Sequence, residues 1–144
     1  MIKNLSKYFL SNQEYYLKGI AYNKLESVQD VKTLDLICED EVETKLVENN
    51  FVEVMVSRKI RFVPAAIFEL TISYGTILQF NPDERDKQNW KDIDLSKEFI
   101  EEGEFALRYI MSMISLQVAQ ITSSYGQEPL IIPTGLIVDD ENLK

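Results

Sequence analysis

Apolar and polar residues alternate almost without interruption along two neighbouring runs, 51–63 (FVEVMVSRKIRFV) and 67–80 (IFELTISYGTILQF). In the second run Phe68, Leu70, Ile72, Tyr74, Thr76, Leu78 and Phe80 hold the even positions, while Glu69, Thr71, Ser73 and Gln79 are odd. A period of two is the pattern of half-buried antiparallel strands. Two weaker runs precede these. Residues 15–28 place Tyr16, Ile20 and Tyr22 on one predicted face, with a bulge or close approach at Gly19. Residues 33–47 set Leu34, Leu36, Cys38, Val42 and Leu46 against charged neighbours; Asp40 on the apolar side predicts a bend or bulge. The turn residues Glu48-Asn49-Asn50 and the link Pro64-Ala65-Ala66 are short, which favours an antiparallel meander over a parallel sheet.

After a polar connection, 83–96, whose Trp90 reads as a packing anchor, the period changes. Phe99, Gly103, Ala106, Leu107, Ile110, Ile114, Val118 and Ile121 recur at three- and four-residue spacing. With Asp94 or Ser96 as N-cap and Gly126 as terminator, this predicts one helix from about residue 96 to 124. Tyr109, Met111 and Leu116 lie off its main stripe. One sheet covers one side of a helix, so the excess predicts a partner chain, with a helix fully buried within one subunit as the alternative. The segment 127–144 reads as extended, with Leu136-Ile137-Val138 as a short strand or docking arm and Asp139-Asp140-Glu141 as a solvated tail. The expected organisation is α+β in a single domain, 1–144: a lead-in (1–14), a four-stranded sheet (15–80), a long helix (96–125) and an arm.

Composition removes most chemistry. The net charge is −9 and the pI about 4.5, a balance that repels nucleic acid and anionic membrane and suits basic partners. There is no histidine, hence no Ser-His-Asp or Cys-His catalysis, and the lone Cys38 makes neither an intrachain disulfide nor a zinc site. A reducing, cytoplasmic setting is the expectation. No run approaches the about 20 apolar residues of a membrane span. The glycines are scattered and make no phosphate loop. Glu39 and Glu41, like Glu53 and Glu69, fall at water-facing strand positions. Arg58 interrupts the apolar parity of its strand and reads as an edge snorkel or an ion-pair partner. No cofactor, metal or catalytic residue is expected.

The order of four antiparallel strands, charged crossover, long helix and Gly-x-x-Pro extended segment resembles the SecB family of export chaperones. FVEVMVSRKIRFVPAAIFELTISYGTILQF is similar to the family's third and fourth strands, and ITSSYGQEPLIIP (121–133) to the passage out of its first long helix. There are departures: the family's Pro-aromatic pair early in the helix is absent near Met113 and Ile114, and the chain is short for the family's second helix. The resemblance implies a non-enzymatic, ATP-independent chaperone, a dimer of dimers holding non-native polypeptide in apolar grooves. The residues expected to line a groove are Phe62, Phe68, Leu70, Tyr74, Leu78, Phe80, Met111 and Met113. Docking of the SecA motor would fall near Thr71, with Glu69 on the same face. Two alternatives stand beside it. One is a dedicated chaperone or adaptor of a single partner such as an antitoxin. The other is a small-molecule enzyme or carrier on a hot-dog-like scaffold, using Glu101 or Glu104.

Overall fold

The computed structural model describes residues 2–26, 33–124 and 129–138. The alternating runs form β1 (Glu14–Lys24), β2 (Asp35–Val47), β3 (Phe51–Val63) and β4 (Phe68–Gln79). The sheet is antiparallel throughout, as the alternation predicts, and its order is β1-β4-β3-β2. Strands β2 to β4 are the meander, and β1 lies on the far side of β4, so β1 and β2 are the two edges. Val47 and Phe51 pair across a three-residue turn in which Glu48 (φ 51°) and Asn49 (φ 61°) are left-handed, a conformation Asn tolerates well.

The even positions of β3 and β4 face inward. Val52, Val54, Val56, Ile60, Leu70, Ile72 and Leu78 are fully buried, each stabilising the fold by roughly 1.5–3 kcal/mol. Two expectations for the edge strands are corrected. The β2–β3 register runs unbroken through the pair Asp40↔Arg58, so Asp40 makes no bulge; it points inward and meets a partner there. In β1 the register shifts between Leu17 and Gly19, the bulge expected at that point, but the shared face expected for Tyr16, Ile20 and Tyr22 does not form. One extra residue reverses the parity: Ile20 and Tyr22 pair with the inward Ile72 and Leu70, whereas Tyr16 pairs with Gly75 on the outer face. Gly75 is needed there, because a Cβ would lie 2.5 Å from the Tyr16 ring.

The predicted single helix is two. Helix α1 (Leu95–Glu102) is capped by Asp94, whose carboxylate accepts from the Lys97 N–H, and ends at Gly103. Helix α2 runs Glu104–Ser123. At Gly103 a Cβ would stand 2.3 Å from the Phe99 carbonyl oxygen, so the break uses the one residue without a Cβ. The predicted terminator Gly126 and the acidic tail lie outside the described residues. Helix α2 packs over β4 and part of β3, and α1 over β2. A short 3-10 turn, Leu5–Tyr8, brings Phe9 onto Phe80 at 4.9 Å. Trp90 packs against Phe80, also at 4.9 Å, and its Nε1–H donates to the Arg85 carbonyl. With Phe99 and Phe105 they close one end of the core, which is the anchoring expected of Trp90.

Candidate functional site

The inner face of the sheet divides into three lanes, according to what covers it. Over β4 lies α2. Over the β2 side lies the C-terminal arm, residues 129–138, running back along the flank of α2. Over β1 the described residues place little cover, and much of the strand is exposed.

The covered lane is organised by Asp40 and Arg58. Their side chains are both fully buried. Arg58 Nε and Nη2 donate to the two Asp40 carboxylate oxygens at 2.7 and 2.8 Å, the bidentate geometry that makes such a pair strong. Arg58 also donates to the carbonyls of Pro133 and Gly135, each at 2.9 Å. The Asp40 carboxylate accepts the Ile137 N–H at 2.7 Å, and the Asp40 N–H donates to the Ile137 carbonyl. Burial alone would lower the Arg58 pKa; the Asp40 carboxylate more than offsets it, so the guanidinium is held above its ordinary value. Nearby Cys38, half-buried, has its thiol pushed up by burial, against the opposing field of Arg58. The sequence reading left Arg58 without a named partner, although a signal for one exists: Asp40 and Arg58 stand nine residues either side of Asn49, so the hairpin turn sets them opposite one another.

The arm explains part of the wide apolar surface of α2. Met111, off the main stripe, is buried and lines a cleft of about 390 Å³ with Leu107, Arg108 and arm residues Thr134, Gly135 and Leu136. The opposite flank is bare: Tyr109 and Leu116 are each 49% exposed. That flank faces β1, where Tyr15 meets Tyr109 at 4.4 Å between ring centroids. Further along the inner side of β1, Leu17 and Ile20 are exposed as well.

A row of apolar side chains crosses the end of the inner face away from Phe80. Leu36 pairs with Phe62, whose ring meets Phe68 edge-on at 5.3 Å; Tyr22 lies 5.7 Å beyond. Leu36 is exposed, Phe62 and Tyr22 are half-buried, and Phe68 is nearly covered. Of the other residues expected to line a groove, Leu70 and Leu78 are fully buried, Tyr74, Phe80 and Met111 are nearly so, and Met113 is partly covered. The structure thus brings the eight together as core, with Phe62 and Phe68 at the core's open end. Glu69 and Thr71 sit side by side on the outer face of β4, paired with Asn23 and Ala21 of β1.

Among the described residues no three His, Cys, Asp or Glu side chains gather to hold a metal. Glu101 is exposed, and the Glu104 side chain, 77% exposed, pairs with Arg108 one turn on. Neither has the desolvated setting a catalytic carboxylate needs. No helix among the described residues is long and apolar enough to cross a membrane.

A four-stranded antiparallel sheet carrying a helical layer on one face, with the chain returning along the helix flank, is the fold of the SecB-like chaperones. The solved structure of the Mycobacterium tuberculosis Rv1957 SecB-like chaperone, in complex with a ChAD peptide from the Rv1956 HigA1 antitoxin, superposes with a TM-score of 0.62. The match covers 83% of this chain and 86% of that one at 15% sequence identity, a likeness of fold. A protein of unknown function from Streptococcus agalactiae matches with a TM-score of 0.44 at 6% identity, over 85% of this chain and 95% of that one. No family model matches the sequence, and no curated protein does.

Proposed function

We propose that this protein is a non-enzymatic chaperone that binds non-native polypeptide without ATP. The observation that carries the reading is the incompletely buried apolar surface at one end of the inner face: exposed Leu36 and half-buried Phe62, in a row with the nearly covered Phe68. Aromatic and aliphatic side chains left part-exposed in a row suit an extended segment bearing bulky apolar residues. The SecB-like fold, whose solved representative holds an antitoxin peptide, supports a polypeptide ligand over a small molecule. The same likeness equally supports a chaperone dedicated to one partner. The bare flank formed by Leu17, Ile20, Tyr109 and Leu116, beside the unpaired edge of β1, we assign to pairing of subunits in the cytoplasm, with a dimer of dimers as the assembly.

The test is aggregation of an unfolded client followed by light scattering. Stoichiometric wild-type protein suppresses it, and Phe62→Asp, which puts a charge in the middle of the row, abolishes the effect while the far-ultraviolet circular dichroism stays unchanged. Failure of the wild type to slow aggregation of any client, with no single partner recovered from the native host, would sink the proposal. One stoichiometric partner rather than many clients selects the dedicated form.

A further inference from the structure

The arm is held in an unusual way. Among the described residues six hydrogen bonds fix it to the body of the protein, and all six involve the arm's main chain. Thr122 Oγ1 accepts the Leu130 N–H at 2.8 Å, and Ser115 Oγ donates to the Ile132 carbonyl at 3.1 Å. Arg58 takes the carbonyls of Pro133 and Gly135. Asp40 takes both the N–H and the carbonyl of Ile137. The donors and acceptors of the body are therefore laid out for a non-helical backbone that bends at Thr134 and Gly135, whatever its side chains. Side-chain selection is slight: Ile132 is buried and Leu130 and Leu136 pack partly against the core, while Ile131 is 72% exposed. Main-chain bonds supplying affinity, with shallow apolar seats for alternate residues, is how proteins bind extended peptides of varied sequence.

We propose that this lane is itself a polypeptide-binding track and that residues 130–137 are its resident occupant, displaced when an extended, apolar segment of a client takes their place. The Asp40–Arg58 pair is the track's fixed fitting, and the arm acts as a built-in competitor. A tethered segment competes at an effective concentration on the order of millimolar, so only strongly binding or locally concentrated clients enter. The inference rests on the reading that the protein binds polypeptide, and adds to it a second site with its own regulation.

The test uses the full-length chain and a fluorescent synthetic peptide with the sequence of residues 129–138, PLIIPTGLIV. Ile132→Asp removes the arm's buried anchor and leaves the track intact. Binding of the peptide, read by anisotropy, is expected to tighten at least about tenfold over wild type, because the apparent affinity scales with the fraction of empty track. A peptide with Val or Leu in place of each Ile binds comparably. A peptide methylated on the nitrogen of residue 137, which cannot donate to Asp40, binds several-fold more weakly. Should Ile132→Asp disturb the circular dichroism, Ile132→Ala serves with a smaller gain. Equal binding by wild type and variant, no binding by either, or indifference to the N-methyl group overturns the proposal. So does a fall in solution mass on Ile132→Asp, which would mean that arms are exchanged between copies. Client aggregation run in parallel separates the two readings: suppression by wild type without peptide binding leaves the chaperone reading standing and removes this one.

Discussion

The two edges of the sheet are treated in opposite ways. At β2 the chain covers itself: α1 and the arm lie over the inner face, and the Asp40 N–H, which points away from β3, is answered by the Ile137 carbonyl. The two charges that point inward there, Asp40 and Arg58, are buried and paired with each other. At β1 the ladder's outer row has no such cover among the described residues, and the side chains beside it are apolar and exposed. An unpaired edge flanked by exposed Leu and Ile is a liability in a lone subunit unless something is meant to pair with it. The contrast separates what the fold needs for its own stability from what it leaves for other chains. It also yields a ranked set of mutations, since the same class of substitution should have large consequences at one edge and small ones at the other.

The largest expected effect is at the buried pair. Arg58→Ala strands the Asp40 carboxylate in the core and should cost about 3–5 kcal/mol in urea unfolding. Asp40→Leu combined with Arg58→Met should recover most of this, since removing both charges together leaves nothing unpaired. Recovery of stability in the double variant, with faster hydrogen exchange at the Ile137 amide, would show that the pair specifies where the arm lies more than it stabilises the sheet. A loss in the double variant as large as in the single one would show instead that the arm bonds themselves carry the stability.

A smaller effect is expected along the arm. Ser115→Ala removes a single part-buried hydrogen bond to the Ile132 carbonyl. It should cost about 0.5–1.5 kcal/mol and raise the exchange of arm amides without touching those of β4. A uniform rise across the sheet would mean that arm and sheet open together, erasing the distinction between a strap and a core element.

The sequence made much of this legible, and the failures have definite causes. The strands were readable because β3 and β4 bury one face only, so Val52 to Ile60 and Phe68 to Phe80 keep strict parity. The phase of β1 was not, because the extra residue at the bulge moves Tyr16 to the opposite face from Tyr22, and alternation read straight through such a point gives the wrong partner. The helix break at Gly103 was hidden because an apolar stripe continues across it; what matters there is the contact of its missing Cβ with Phe99, a tertiary fact. Asp40 and Arg58 appeared as two separate defects in two apolar rows. Only when the hairpin is folded about Asn49 do they become one feature. The arm's seat was invisible for a deeper reason: it recognises backbone, and backbone has no sequence signature. The same limit governs the residues expected to line a groove, since Leu70 and Phe62 look equivalent in a row of alternating apolar residues, and only the folded packing buries one fully and leaves the other half-buried.

On the outer face of β1, Tyr16 offers a pH-dependent measure of how firmly that edge is held. Burial, then the hydrogen bond to the Glu53 carboxylate and its charge, push the hydroxyl up to about 12. In the unfolded chain it titrates near 10. The folded state therefore keeps a proton that the unfolded state releases. This contribution is complete below pH 10, declines as the pH rises from 10 to 12, and is gone above. Absorbance titration of tyrosinate should show the highest step vanish in Tyr16→Phe and move down toward 10 in Glu53→Gln. An unchanged highest step in Tyr16→Phe would place the perturbed group elsewhere.

The least effect on stability is expected where the effect on assembly is greatest. Leu17→Glu and Leu116→Lys change side chains that are 46% and 49% exposed. Neither opens a cavity nor buries a charge in the subunit, so each should shift the unfolding midpoint by no more than about 0.5 kcal/mol. If the β1 flank is where subunits meet, sedimentation of each single variant should fall to 16.7 kDa, while wild type sediments at a multiple of that mass. Because the two substitutions have opposite charges, combining them on one chain distinguishes an interface that sets Leu17 against Leu116 of another copy from one that sets each residue against its own copy. A two-fold interface that sets Leu17 against the partner's copy of Leu116 would be partly restored in the double variant by Glu–Lys attraction across it, and would then lose that restoration in high salt. Wild-type protein that sediments as a monomer at micromolar concentration would remove assembly from the account of this edge and leave its exposed leucines to clients alone.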